Sequence, residues 1–282
     1  RRSQASVDAL REVSHGIGIV VGAPSRNPVL AGKDLYNSAY FLSEGAIIGV
    51  QHKALLPTYD IFDEYRYFEP ATEFKPITFK GKKIALSICE DIWNVGNENP
   101  LYVVCPLDEM MPYQPDFILN LSASPFDYAH AAMRIQVVRA NVERYGIPMF
   151  YTNHTGAQTD IVFDGGSIVM SPDGKVFDEM PYFEECLRVY DLEDVLKGGK
   201  TAEQPKHKVQ LIHDALVVGI RDYFRKLGFQ KAILGLSGGI DSSISRTSSG
   251  VFNCRISRGV CSVNIIYSPS VSRFDRFRIA NA

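Results

Sequence analysis

The chain has 282 residues, 45% of them apolar and 22% charged, enough to bury a core in one large domain or two smaller ones. A formal net charge of −2 gives no electrostatic reason for nucleic acid or an anionic membrane as a partner. No apolar stretch approaches the ~20 residues that span a bilayer and no signal-peptide pattern opens the chain, so cytoplasmic residence is expected.

The opening Arg1-Arg2-Ser3-Gln4 holds no Met, which implies an internal start. Short apolar, β-rich runs then recur at Ile17–Gly22, Ser38–Leu42, Ala46–Val50, Lys83–Ile88, Phe117–Leu121, Pro148–Thr152, Ser167–Met170 and Leu187–Tyr190. Ser43-Glu44-Gly45 and Pro172-Asp173-Gly174 between them supply the positive-φ positions of tight turns. From Ala131 to Tyr145 the period changes: Ile135, Val138, Val142 and Tyr145 step by three and four, and Gly146 is placed to cap a helix. Strands with intercalated helices point to an α/β sandwich.

Between Val195 and Lys208 the texture turns polar, with LysGlyGlyLys, GluGlnPro and LysHisLys, and a domain boundary is expected at 204/205. A second helix follows, with Val209, Ile212, Leu216, Ile220, Phe224 and Leu227 on one face and Gly228 at its end; Lys231–Leu236 then reads as a strand. From Ile244 to Ala282 there are six Arg, no Lys, eight Ser and one acidic residue, with no sustained helical or alternating pattern. That bias towards six-codon residues suggests an aberrant or disordered segment over 244–282, from a frameshift or a mis-joined sequence. The five cysteines (89, 105, 186, 254 and 261) are odd in number and form no CxxC pair, so neither a disulfide framework nor a zinc site is indicated.

Cys89 leaves the end of the run Lys83–Ile88 and is followed by Glu90-Asp91-Ile92-Trp93. A thiol on a sharp turn at a strand end can face a cleft, although such a cysteine is more often only packed. Upstream, His52-Lys53-Ala54-Leu55-Leu56-Pro57 leads into Tyr59 and then Phe62-Asp63-Glu64-Tyr65-Arg66-Tyr67-Phe68. A lysine beside a thiol can favour the thiolate and then stabilise the oxyanion formed on an amide carbonyl, but read alone Lys53 is an ordinary solvated lysine.

Together, HisLysxxLeuLeuPro…PheAspGluxArgTyrPhe and SerIleCysGluAspIleTrp resemble the nitrilase, or carbon–nitrogen hydrolase, superfamily, and more narrowly the glutaminase domain of glutamine-dependent NAD synthetases. Asn120–Phe126 and Phe163-Asp164-Gly165-Gly166-Ser167 extend the likeness, which covers roughly residues 17–243. The resemblance implies a Glu-Lys-Cys triad with Cys89 as nucleophile, Lys53 as the oxyanion-stabilising lysine and Glu64 as an auxiliary carboxylate. It places Tyr59, Trp93, Ser124, His130 and Arg134 around a glutamine pocket, with His130 standing where the family favours Lys or Arg. The family's general-base Glu lies in a PheProGlu-type motif well before the lysine. Only Glu12 and Glu44 precede Lys53 here, neither in that context, so the base is expected to be missing and glutaminase turnover weak.

Ala232–Ser243 carries the most specific short motif: an apolar strand runs into Ser237-Gly238-Gly239-Ile240-Asp241-Ser242. Glycines there let backbone N–H groups approach an anion, and the alternative is a plain Gly-Gly turn. Neither a Walker loop nor GxGxxG is present. The motif resembles the pyrophosphate loop of ATP pyrophosphatases, which implies ATP held by Gly235, Ser237, Gly238, Gly239, Ile240, Asp241 and Ser242, and Mg2+ held by Asp241.

The resemblance therefore implies a nitrilase-like four-layer α-β-β-α sandwich over 1–204, followed over 205–282 by the start of a Rossmann-like adenine-nucleotide α-hydrolase domain. It implies glutamine hydrolysis feeding ammonia to ATP-dependent amidation of nicotinic acid adenine dinucleotide, in a homo-oligomer with small-molecule partners and no nucleic acid or membrane. A stand-alone nitrilase-type amidase, and a non-catalytic misread gene product, are the alternatives.

Overall fold

The computed structural model describes residues 2–201 and 207–229 in full and, past them, the backbone of strands at 231–235, 253–257, 260–264 and 279–280. Strands β1 (Gly18–Arg26), β2 (Leu35–Ser43) and β3 (Ala46–His52) form an antiparallel sheet. The β2–β3 turn is the expected one, with Glu44 and Gly45 at φ 50° and 74°. Because side chains alternate across a strand, β2 buries Tyr40 and Leu42 against Val7 of helix α1 (Arg2–Glu12), and Ala39 and Phe41 on its other face.

Ala39 and Phe41 meet Ile77, Ile84, Leu86 and Ile88 of a second sheet. That sheet is built from β4 (Ile77–Phe79), β5 (Lys82–Ile88), β6 (Phe117–Ser122), β7 (Met149–Asn153), β10 (Ile168–Met170) and β11 (Val176–Glu179), in the order β11-β10-β7-β6-β5-β4. β5, β6 and β7 are parallel and covered on both faces, which accounts for the unbroken burial of Ile84–Ile88. The outer face receives helices α2 (Pro106–Met110) and α3 (His130–Tyr145), with Leu107, Ile135, Val138 and Val142 against Ala85, Ile118, Met149 and Met170. The order helix, sheet, sheet, helix is the expected four-layer sandwich. α3 ends where the sequence places it, Gly146 at φ 68° donating its N–H to the Val142 carbonyl at 2.8 Å.

Between β7 and β10 lies a hairpin of β8 (Thr155–Gln158) and β9 (Ile161–Asp164), followed by Gly165 and Gly166 at φ 68° and 61°. A Cβ on Gly166 would stand 2.4 Å from the Tyr182 ring. Gly166→Ala is therefore expected to destabilise the chain by roughly 2–3 kcal/mol, combining left-handed backbone strain and overpacking. Urea unfolding would show it as a lower midpoint at unchanged slope.

After β12 (Leu187–Arg188) and the short α4 (Leu192–Leu196), helix α5 spans Lys208–Leu227 and stops at Gly228, as expected. Leu211, Ala215 and Val218 are buried on Ala157 and Phe183. Members of the predicted apolar face, Val209 at 80% exposure and Leu216 at 53%, point away. Small Ala215 lets the helix approach the hairpin closely, and Asp222 accepts the Ala157 N–H at 2.8 Å while Lys226 donates to the Ala157 carbonyl. Beyond it, β13 (Lys231–Gly235), β14 (Asn253–Ser257) and β15 (Val260–Asn264) pair antiparallel in the order β13-β15-β14. The sequence reading finds no regular pattern past Ile244, and these short strands differ from it.

Candidate active site

β5 delivers Cys89 at the inner end of the central parallel strands. Its φ of 45° is left-handed, a conformation that costs an L-residue about 1–2 kcal/mol and that turns the thiol out of the strand direction into a short 3-10 turn, Cys89–Ile92. Asn120 on the neighbouring strand donates to the Cys89 carbonyl at 3.4 Å and to Ser87 Oγ at 3.0 Å. Asn141 of α3 donates to the Ile92 carbonyl at 2.8 Å, so the turn is held from the helical layer as well.

Lys53 follows β3 directly and is 1% exposed. Its ammonium donates to Glu64 Oε1 at 2.6 Å and Oε2 at 2.8 Å, and Asn37 Nδ2 adds a 3.4 Å contact to Oε2. Burial works against the lysine's charge, and Cys89 and Glu64 more than restore it, leaving its pKa above the ordinary value. Glu64 sits in a 3-10 turn, Glu64–Arg66, anchored by its own N–H on the Pro57 carbonyl at 3.1 Å. Lys53 and Glu64 are thus paired from two separate segments, and Cys89, from a third, is near enough to act on the lysine's charge.

Burial pushes the Cys89 thiol up; Lys53 draws it back only in part, and the charges of Glu90 and Glu64 oppose that pull. A neutral thiol must surrender its proton to a base before it can act as a nucleophile. Glu44 does not fill that role: it lies at the far end of β2, exposed, accepting the Gly16 N–H at 2.8 Å and facing His15. Glu12 is exposed at the end of α1.

Two acids that the sequence reading does not single out complete the site. Glu90 is buried, and its Oε1 accepts the hydroxyls of Tyr59 at 2.7 Å and Tyr102 at 2.8 Å, with burial and Glu90 raising both phenol pKa values. Asp91 is buried too; its Oδ1 accepts the N–H groups of Ala54 at 3.0 Å and Leu55 at 2.9 Å, and its Oδ2 that of Ile88 at 3.1 Å. Burial pushes its carboxyl up to about 6 against those donors. Both stand in the CysGluAspIleTrp run, whereas nothing local to Tyr102 marks it in the sequence.

Of the expected pocket residues, Tyr59 reaches the site through Glu90, and Trp93 and His130 face each other with ring centroids 6.4 Å apart. Ser124 is buried, its N–H held by Asn153 Oδ1 at 2.9 Å. Arg134 does not present its charge to a pocket. It is 1% exposed, and its two terminal nitrogens bind Asp164 at 2.9 and 2.5 Å, a bidentate pair that fixes β9 to α3. Both of its terminal nitrogens are thereby engaged within the fold. Gly235 is described only as the last backbone position of β13, and Ser237, Gly238, Gly239, Ile240, Asp241 and Ser242 lie outside the described residues.

Residues 5–198 match the carbon-nitrogen hydrolase family, and residues 212–249 match the NAD synthase family. Glutamine-dependent NAD(+) synthetases are similar: that of Synechocystis sp. is 41% identical over 217 residues, covering 75% of this chain and 39% of the relative. That of Thermotoga maritima is 32% identical over 246 residues, covering 75% and 42%. The chain spans about two fifths of the length of these curated relatives. Among solved structures, a glutamine-dependent NAD+ synthetase from Acinetobacter baumannii in complex with ADP superposes with a TM-score of 0.76 at 31% identity, covering 88% of this chain and 45% of that one. A carbon-nitrogen hydrolase from Helicobacter pylori shares the fold, with a TM-score of 0.53 at 22% identity and coverage of 64% and 63%. With its sandwich, its strand-end cysteine and a family match over most of its length, the chain belongs to the carbon-nitrogen hydrolase family.

Proposed function

We propose that the site is the glutaminase half of a glutamine-dependent NAD synthetase, with Cys89 as nucleophile. The observation that carries the reading is the buried Lys53–Glu64 pair beside a thiol held in left-handed backbone at a strand end. Deprotonated Cys89 attacks the side-chain amide carbon of glutamine and forms an S–C bond. Lys53 stabilises the oxyanion. The C–N bond breaks, ammonia leaves with the proton taken from the thiol, and water cleaves the glutamyl thioester to glutamate. Tyr59, Trp93, Ser124 and His130 line the glutamine pocket in this reading.

The second half rests on the chain past the proposed 204/205 boundary. The two family matches fall on either side of that boundary, and the outward apolar residues of α5 suit a further body packed on it. Here the Ser237–Ser242 loop, with Gly235 before it, binds ATP, and Asp241 is the candidate Mg2+ ligand. ATP activates the carboxylate of nicotinic acid adenine dinucleotide, and ammonia displaces AMP to give NAD. Activity in a homo-oligomer in the cytoplasm belongs to the same reading; no helix among the described residues is long and apolar enough to cross a membrane.

Incubation with 6-diazo-5-oxo-norleucine, a glutamine-shaped electrophile, tests the first half. Peptide mapping is expected to find one adduct, on Cys89, suppressed by excess glutamine and lost in Cys89→Ser. Equal labelling of the other cysteines, or none at Cys89, sinks the reading.

A further inference from the structure

We propose that Asp91 is a positioning residue, which sets the Lys53 ammonium against the Cys89 thiol by tying the backbone after the lysine to the turn of the nucleophile. The inference rests on the reading of Cys89 and Lys53 given above. One carboxylate oxygen caps the nucleophile's own turn by taking the Ile88 N–H at 3.1 Å, which many acids at such turns do. The other oxygen does something a cap does not need. It takes two consecutive N–H groups, Ala54 and Leu55, from a segment 36–37 residues upstream. Those residues immediately follow Lys53, whose own backbone is set by its N–H on the Asn37 carbonyl at 2.8 Å and its carbonyl on the Ala71 N–H at 3.0 Å.

The Lys53 side chain is fully buried, so its ammonium can be no better placed than its backbone. The Lys53 and Cys89 backbones are otherwise on different sheets. Asp91, itself 2% exposed, joins them through three hydrogen bonds from backbone N–H groups to one carboxylate. The charged and titratable groups around it are Lys53, Glu64, Glu90 and Cys89, with the phenols of Tyr59 and Tyr102 beyond Glu90.

Asp91→Asn separates positioning from simple charge. An amide keeps one acceptor oxygen and turns an NH2 towards the remaining N–H donors, so either the 53–55 segment or the turn must move. Lys53 then loses its purchase on the thiol, and the pH midpoint of Cys89 alkylation by iodoacetamide, read on the Cys89 peptide by mass spectrometry, is expected to rise. At pH 8 labelling is expected to slow ~10-fold, as one unit of thiol pKa implies. Removing a negative charge without movement would shift the midpoint the other way. Lys53→Met is expected to raise the midpoint as well, and Asp91→Asn to add nothing in that background.

If Lys53→Met leaves the profile unchanged, the reading of the site fails and the proposal with it. If Lys53→Met shifts the profile but Asp91→Asn leaves it fixed or lowers it, only the proposal is overturned. Should Asp91→Asn fail to fold, hydrogen exchange in the wild-type chain decides. The Ala54 and Leu55 amides are expected to be protected relative to residues 58–62, and exchange as fast as that exposed loop overturns the proposal.

Discussion

Asp164→Ala is expected to destabilise the fold by about 3–5 kcal/mol, the range for removing one partner of a buried ion pair. Arg134 and Asp164 are each 1% exposed, and burial opposes the guanidinium's charge until Asp164 restores it. Without the carboxylate, the cation and Asn153 Nδ2, which donates to Asp164 Oδ1 at 3.2 Å, both lose an acceptor in a dry site. Thermal unfolding is expected to move down by roughly 6–20 °C. Replacing the pair together, Arg134→Met with Asp164→Leu, is expected to recover most of the loss, because a buried pair is worth little more than apolar residues of its size. A single variant within 1 kcal/mol of wild type would show that Arg134 finds another partner.

Glutamine turnover by the 282-residue chain is expected to lie ~10²–10⁴-fold below that of a glutaminase with a poised base, the usual contribution of general-base catalysis. Each acid placed at the site is already engaged: Glu64 by Lys53 and Asn37, Glu90 by two tyrosine hydroxyls, Asp91 by three backbone N–H groups. To serve as base for a thiol that burial pushes up, any of the three would first have to give up these partners. Ammonia release measured on wild type and Cys89→Ala checks this. Turnover near the ~10 s⁻¹ of an ordinary enzyme, abolished in Cys89→Ala, would mean that one of these acids changes partners when glutamine binds.

The sandwich was legible because its signals are local. Ile84–Ile88 is apolar but for Ser87 and buried throughout, as suits a strand covered on both faces, and Gly146 ends α3 where the three-four stepping stops. The triad candidates were legible as motifs, yet the Lys53–Glu64 contact comes from a loop whose path no periodicity encodes. The Arg134–Asp164 pair was not legible, because its partners lie 30 residues apart and meet only through the short hairpin of β8 and β9. α5 was legible as a helix, but which of its residues pack inwards was not, because apolar side chains lie both on the face of Val209 and Leu216 and on that of Leu211, Ala215 and Val218.

The grip of α5 on the hairpin has a practical consequence for anyone dissecting the molecule. Asp222 and Lys226 occupy the N–H and the carbonyl of the same residue, Ala157, on a sheet of only two strands. A fragment cut at the compositional boundary near 204 would leave that strand with bare hydrogen-bonding groups above uncovered Phe126, Val162 and Phe183. Such a fragment invites strand-to-strand association between copies, whereas one ending after Gly228 keeps the edge closed. The point at which the chain changes texture is not the point at which it can be cut.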